Sequence, residues 1–347
     1  MKAAVLHGRE DVRVERVERY ALKLGEVRVA IEAALTCGTD LKVFKRGYHA
    51  RMIVPPAVFG HEFAGRICET GPEVVDWKIA DPVVVANSAP CGTCFYCKNH
   101  QENLCDDLLF LNGAYAETIV VPQRLVEKNM LRLKPSTSFR DAALAEPLAC
   151  VEQGWEELDA RPGQNLLILG SGPIGLMFAA VARHAGCKVT VAGRGDGRLR
   201  AARKLGAHHV IDVAGKSDIV SAIKKSASAP FDGVIEAVGK PETWEAAVQL
   251  ARKGGKVNLF GGCPADTFVS LSTVLLHYSN LTLFSSFHHT PRAIRRALEL
   301  IETGSVPAPL FVDGEGTLDQ LPDLFRSMAS ENRSVKTFIQ TSPSKQL

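Results

Sequence analysis

Four cysteines within one short stretch, Cys91-x2-Cys94-x2-Cys97-x7-Cys105, form the densest chemistry in this chain. Thiolates at these spacings can all turn toward one point, and four of them close a tetrahedral zinc shell. Pro90 and Gly92 help the loop bend. Four protein ligands leave no position for a substrate, so a zinc held here is structural. The competing reading is four unrelated thiols, but such crowding is chemically unfavourable without a metal. A zinc ribbon for nucleic acid would need a second knuckle and a basic surface, and the loop has neither.

A second set lies outside that loop: Cys37, His61, Glu62 and Glu146. A catalytic zinc needs about three protein ligands and an open position, where it lowers the pKa of a bound oxygen. Thr39 and Asp40 stand close enough to Cys37 to reach the same place. A hydroxyl at 39 could pass a substrate proton outward, and a carboxylate at 40 could orient His61. Taken alone these residues also read as a core thiol and a packed imidazole. The third set is Gly170-x-Gly172-x-x-Gly175, with Pro173 and Ile174 inside it. It follows the apolar run Leu166–Leu169 and opens a helical stretch, which is the context a dinucleotide-binding turn requires.

The elements that must position these groups fall into two rhythms. Up to about residue 150 the chain reads as mostly β: 12–17, 26–31, 64–69 and 81–86 alternate like half-buried strands, punctuated by Gly71-Pro72 and Asp81-Pro82. A helix is expected over 146–158. From Gln164 onward strands and helices alternate. Strands are expected at 166–169, 188–192, 209–212, 233–238 and 256–260, with helices at 173–184, 199–205 and 242–252. This pattern implies a doubly wound parallel sheet with helices on both faces. A helix over 291–303 and a last strand over 334–339 follow, and the tail 342–347 reads as loose.

The 347 residues suit about two domains of the usual size. A net charge of +3 is too small to argue for nucleic acid or a membrane surface as partner. No signal peptide and no transmembrane run is read, and nine cysteines, partly clustered, imply metal in a reducing compartment. The cytoplasm is the expected location.

In this order, the three sets resemble the zinc-containing medium-chain dehydrogenase/reductase family over essentially the whole chain. Gly60-His61-Glu62-Phe63-Ala64-Gly65, the four-cysteine loop and Glu146-Pro147-Leu148-Ala149 look most like its polyol, sorbitol and threonine dehydrogenase branch. The resemblance implies an α/β protein. A GroES-like, mostly-β catalytic domain would span 1–150 and 285–347, and a Rossmann domain 151–284. It implies two zinc ions per chain, a catalytic one on Cys37, His61 and Glu62 and a structural one on the four-cysteine loop. Glu146 would bind or exchange onto the catalytic zinc, and Thr39 would begin a proton relay. Lys42 stands where several relatives carry a relay histidine, so a lysine or water would serve there, and an L-threonine substrate is disfavoured. Homodimers or homotetramers are expected by the same analogy.

The cofactor contacts implied are Gly170, Gly172, Pro173, Ile174, Gly175, Gly193, Arg194, Arg198, Phe260, Gly261, Gly262, Ser286 and Phe287. NAD-specific members end the second Rossmann strand with an acid that binds the ribose hydroxyls. Here Gly193 fills that slot and Arg194 follows, which favours the 2′-phosphate of NADP over NAD. The competing reading leaves Arg194 solvated, with Asp196 replacing the missing acid. Phe287-His288-His289-Thr290 reads either as a segment near nicotinamide and substrate or as a turn with Thr290 capping the helix at Pro291. The expected reaction is reversible oxidation of a secondary alcohol of a polyol, sugar or cyclitol to a ketone. An L-threonine or amino-alcohol dehydrogenase is the alternative. A non-catalytic nucleotide-binding sensor or scaffold is the reading from a different class.

Overall fold

The computed structural model describes residues 1–49, 52–328 and 334–341. The tail expected to be loose, 342–347, lies outside the described residues. The chain forms two compact units: Met1–Ala149 with His289–Glu302 and Val312–Leu347, and Cys150–His288 with Thr303–Phe311.

The first unit is built on a seven-stranded sheet. In order across it lie Met130–Arg132, Pro82–Val85, Glu62–Thr70, Val27–Leu35, Thr337–Gln340 and Gly314–Thr317, while Thr118–Val121 also pairs with Val27–Leu35. The pairing of Val27–Leu35 with Glu62–Thr70 is antiparallel and sets Leu35 opposite Glu62. Two irregularities in that register bend the pair, as bulges do at the rims of closed sheets. The core collects Leu6, Val29, Ile31, Phe44, Phe59, Phe63, Val85, Tyr115, Phe325 and Ile339. The C-terminal strand Thr337–Gln340 is thus part of the N-terminal sheet, pairing Phe338 with Leu35 and Ile339 with Ala34.

The second unit holds six parallel strands in the order His209–Asp212, Lys188–Gly193, Asn165–Leu169, Phe231–Glu236, Ala251–Leu259, Thr282–Phe284. Leu166, Leu167, Ile168 and Leu169 are all buried, the continuous apolar run of a parallel strand covered on both faces. Helices Pro173–His184, Asp196–Lys204, Ile219–Ser226 and Pro241–Leu250 connect the strands.

Most expected elements are present, with shifted ends. The strand expected from 233 begins at Phe231 and ends at Glu236. The helix expected over 242–252 stops at Leu250, and Ala251–Leu259 is one long strand; Ala251 pairs with Phe231, so the sheet claims it. The helix expected from Leu199 begins at Asp196. The last strand starts at Thr337 instead of Ser334. No helix among the described residues is long and apolar enough to cross a membrane.

Candidate active site

Cys37 ends the run from the strand Val27–Leu35 and caps the helix Gly38–Arg46. Its sulfur accepts the Thr39 N–H at 3.4 Å, and its own N–H donates to Asp40 Oδ2 at 3.1 Å. This reciprocal cap fixes the turn in which Cys37, Thr39 and Asp40 sit. Glu62 begins the neighbouring strand and His61 immediately precedes it. They follow Gly60, whose φ of +91° and close packing on the Tyr115 ring leave no room for a side chain; a Cβ would lie 2.6 Å from that ring.

Register and cap together bring the ligand atoms of Cys37, His61 and Glu62 within 4.8 Å of one another. His61 is 4% exposed and Glu62 fully buried. Asp40 Oδ1 lies 2.9 Å from His61 Nδ1, which leaves Nε2 as the ring nitrogen free to meet a metal. Burial opposes charge on this imidazole, but Asp40 and Cys37 outweigh it and lift the His61 pKa well above its ordinary value.

One partner of this set was invisible to sequence reasoning. Lys336 is buried, and its Nζ donates to both oxygens of Glu62, at 2.6 and 2.5 Å, and to the Thr36 carbonyl at 3.0 Å. Burial pushes the Glu62 carboxyl upward, offset in part by Lys336 and His61. Burial also opposes the Lys336 charge, but Glu62 and Cys37 prevail and keep it protonated. Tyr115 is the second such partner: its hydroxyl donates to Asp40 Oδ2 at 2.5 Å. Neither residue carries a local signal, since a lone lysine or tyrosine in a strand-rich segment reads as surface or core.

Glu146, in the first turn of the helix Ala145–Leu158, is 5% exposed. Burial pushes its carboxyl up to about 7. Its ligand atom is not within 4.8 Å of all three of Cys37, His61 and Glu62, though the charges of His61 and Glu62 act on it, and its carboxylate lies within 4.8 Å of a ring nitrogen of His289. His289 is buried, faces Asn87 Oδ1 at 3.1 Å, and burial pulls its pKa down to about 4. It is therefore neutral at physiological pH. Next to it, Thr290 Oγ1 accepts the Ala293 N–H at 3.2 Å, so Thr290 does cap the following helix. Thr39 is half-buried and Lys42 exposed.

Cys91, Cys94, Cys97 and Cys105 also place their sulfurs within 4.8 Å of one another. Backbone N–H groups aim at them: Thr93 and Cys94 at Cys91, Gly92 at Cys97, and Cys91 at Cys105, at 3.2–3.3 Å. These donors draw the Cys91 thiol down to about 5, while burial pushes Cys97 up to about 12. Four thiols so close cannot all ionise without a cation among them, and the N–H···S donors favour the thiolates a zinc requires. The donor set fits zinc.

In the second unit Gly170 takes a left-handed φ of +116°, and Gly172 caps the helix Pro173–His184 with no side-chain bond in its place. That helix end, carrying Pro173, Ile174 and Gly175, presents free N–H groups suited to a pyrophosphate. Beside it lies a residue the sequence reading passed over. Ser171 Oγ donates to the Arg194 carbonyl at 2.8 Å and accepts the Arg194 N–H at 3.1 Å. Ser171 thereby fills the space next to Gly193: a Cβ there would collide with Ser171 Oγ and lie 2.7 Å from its backbone nitrogen. Arg194 and Asp196 are exposed and Arg198 half-buried. Phe260 packs edge-on against Phe178 with centroids 5.0 Å apart. The Gly261 carbonyl accepts from Trp244 Nε1, and Ser286 Oγ from Asn258 Nδ2. Phe287 is exposed, and a Cβ on Gly262 would meet open space.

Comparison with known proteins agrees with this geometry. Residues 23–130 match the alcohol dehydrogenase GroES-like domain and residues 173–303 match the zinc-binding dehydrogenase family. The chain is 29% identical to the sorbitol dehydrogenase of Bacillus subtilis over 98% of its own length and 97% of that enzyme's. It is 31% identical to the D-altritol 5-dehydrogenase of Agrobacterium fabrum, over 90% and 91%. Among solved structures, a candidate zinc-binding dehydrogenase from Sinorhizobium meliloti bound to NADP superposes with a TM-score of 0.88 at 28% identity, covering 98% of both chains. Identity of this order, sustained from end to end, places the chain among the zinc-binding medium-chain alcohol dehydrogenases.

Proposed function

We propose that this dehydrogenase catalyses the reversible oxidation of a secondary alcohol of a polyol, sugar or cyclitol to the ketone, with NADP as the preferred cofactor. The convergence of Cys37, His61 and Glu62, with Asp40 on the outer nitrogen of His61, carries this reading. These three residues are assigned to a catalytic zinc, and Cys91, Cys94, Cys97 and Cys105 to a structural one. When bound, zinc acidifies an alcohol oxygen and the nicotinamide accepts a hydride. The chain's own residues do the rest. Asp40 holds the His61 ring in one tautomer and one orientation. Thr39, two residues after Cys37 in the first turn of the helix, passes the substrate proton outward, and Lys42 on the exposed side of the same helix is where that path meets water. Glu146 offers a further carboxylate toward zinc or substrate.

The substrate class is supported by the polyol specificities named for the relatives, and such substrates offer several hydroxyls for polar groups to read. The cofactor preference is supported by glycine instead of an acid at 193, the exposed Arg194 beside it, and the NADP bound to a structural relative. We assign 1–150 and 285–347 to the catalytic part and 151–284 to the dinucleotide-binding part. A homodimer or homotetramer is supported by the strand Thr282–Phe284, which ends its sheet, and by exposed Phe268, Val274 and Tyr278 in the segment before it. Nine cysteines with no disulfide among them fit the cytoplasm.

Absorbance of reduced nicotinamide, followed across polyols, sugars, cyclitols and L-threonine with NADP and NAD separately, tests the reading. A polyol signal with NADP preferred is expected. Turnover of L-threonine alone would overturn the substrate class, and signal with NAD alone the cofactor. Cys37→Ser should abolish turnover while nucleotide binding persists; near wild-type activity in that variant would overturn the zinc assignment.

A further inference from the structure

The carboxylate of Asp40 is 1% exposed and is gripped from three directions. His61 Nδ1 stands on Oδ1 at 2.9 Å, and Oδ2 accepts the Cys37 N–H at 3.1 Å and the Tyr115 hydroxyl at 2.5 Å. One carboxylate thus ties the backbone of one proposed metal ligand to the ring of another. Two of its three donors belong to those ligands themselves. Tyr115 is the third, and it comes from a segment 75 residues away.

Everything around Tyr115 immobilises it. Its backbone N–H donates to the Phe59 carbonyl at 2.9 Å, and its carbonyl accepts the Ala4 N–H at 2.8 Å. Just before it, Gly113 and Ala114 both donate to the Gly60 carbonyl, at 2.8 and 3.0 Å. The ring lies against Gly60, the residue before His61, and packs edge-on against Phe59 and Phe325 with centroids 5.7 and 6.0 Å away. The hydroxyl also lies 3.0 Å from the Leu35 carbonyl, but its single proton goes to the stronger, charged acceptor. Without that hydroxyl, Oδ2 keeps only the Cys37 N–H, the carboxylate is under-solvated, and its hold on His61 loosens.

From this geometry we infer that Tyr115 is a positioning residue of the metal site, its hydroxyl fixing Asp40 so that Asp40 fixes His61. The inference rests on the reading of Cys37, His61 and Glu62 as zinc ligands. Tyr115→Phe removes the hydroxyl and keeps the ring, so the packing survives. The experiment follows transfer of zinc from the full-length protein to a chromogenic chelator, with the four-cysteine zinc as internal reference and NADPH fluorescence as a control. Changes behind metal ligands cost roughly 10–100-fold in metal affinity. Asp40→Asn is therefore expected near the upper end, and Tyr115→Phe, one step further out, about tenfold faster in one release phase only. In an Asp40→Asn background Tyr115→Phe should add nothing.

Three results would overturn the inference. An unchanged release phase in Tyr115→Phe would show that the hydroxyl does not act on the metal site. Equal acceleration of both zinc phases, with a lower melting temperature, would show a merely structural role. Additive effects with Asp40→Asn would show that Tyr115 does not act through Asp40. Should wild type and Cys37→Ser carry the same zinc content, the ligand assignment itself fails and the inference falls with it, an outcome separate from the other three. If Tyr115→Phe does not fold, the release phase is read in Tyr115→Leu and Tyr115→Met, which lack the hydroxyl without overfilling the site; equal rates to wild type there also refute the role.

Discussion

Lys336→Met is the most exacting test of the charge arrangement behind the site. The side chains are nearly the same length, so the variant removes the ammonium and keeps the apolar stem. It leaves the Glu62 carboxylate, fully buried, without the cation that now touches both of its oxygens at 2.6 and 2.5 Å. Removing one partner of a buried pair costs about 3–5 kcal/mol, because the other is left uncompensated. The unit concerned has about 200 residues, for which each kcal/mol moves the melting temperature by about 2–4 °C. A fall of about 6–20 °C follows for chelator-treated protein. Bound zinc would supply the missing positive charge at the same carboxylate, so the gap between variant and wild type should narrow when zinc is restored. Glu62→Gln combined with Lys336→Met removes both charges and should recover most of the loss. Differential scanning calorimetry of wild type, Lys336→Met, Glu62→Gln and the double variant, with and without zinc, gives the numbers. A Lys336→Met variant within 1 kcal/mol of wild type, or a gap indifferent to zinc, would refute the reasoning.

Other outcomes follow from the same geometry. Cys105→Ser leaves three thiolates on the loop, and zinc measured by plasma emission should fall from about two to about one per chain; two retained zincs would contradict a four-thiolate site. Gly193→Asp should not convert the enzyme to NAD, because Ser171 and its backbone fill the space a Cβ needs; weaker binding of both dinucleotides is expected, and a clean gain in kcat/KM with NAD would show that the loop gives way. Arg194→Ala should raise KM for NADP by about tenfold or more, the worth of a charge-assisted hydrogen bond, and leave KM for NAD unchanged. Glu236 is fully buried, and burial raises its pKa although Thr243 and the N–H groups of Val238 and Gly239 donate to it. A carboxyl raised in the folded state keeps its proton to higher pH than in the unfolded chain. Its contribution to stability is therefore full at low pH and lost as pH rises from the ordinary 4.5 through the raised value. Relative to wild type, Glu236→Gln should flatten that decline in urea unfolding; parallel pH profiles would refute it.

Much of this protein is local and therefore readable in sequence. The four-cysteine loop is a site because its ligands lie within fifteen residues, where chain geometry alone can close the shell. The glycine turn works the same way: one residue at φ +116° and a helix that starts where Pro173 predicts. The alternation of strands and helices from Asn165 onward follows from side-chain periodicity, which is again short-ranged. Element ends were less readable. Ala251 and Arg252 continue a helical pattern in sequence, yet Ala251 pairs with Phe231, and the sheet's hydrogen bonds prevail over local preference.

Only the tertiary structure decided what stands behind the ligands. Lys336 meets Glu62 across 274 residues and Tyr115 meets Asp40 across 75. Ser171 occupies the space of a side chain absent 22 positions later. A buried lysine or tyrosine carries no periodicity and no spacing rule, because its partner is chosen by strand pairing between distant segments. Sequence named the atoms that could touch a metal, since they cluster or follow fixed turns. The charges and hydroxyls that orient those atoms come from wherever the fold brings the chain back. There burial makes an unpaired polar group too unfavourable to leave alone.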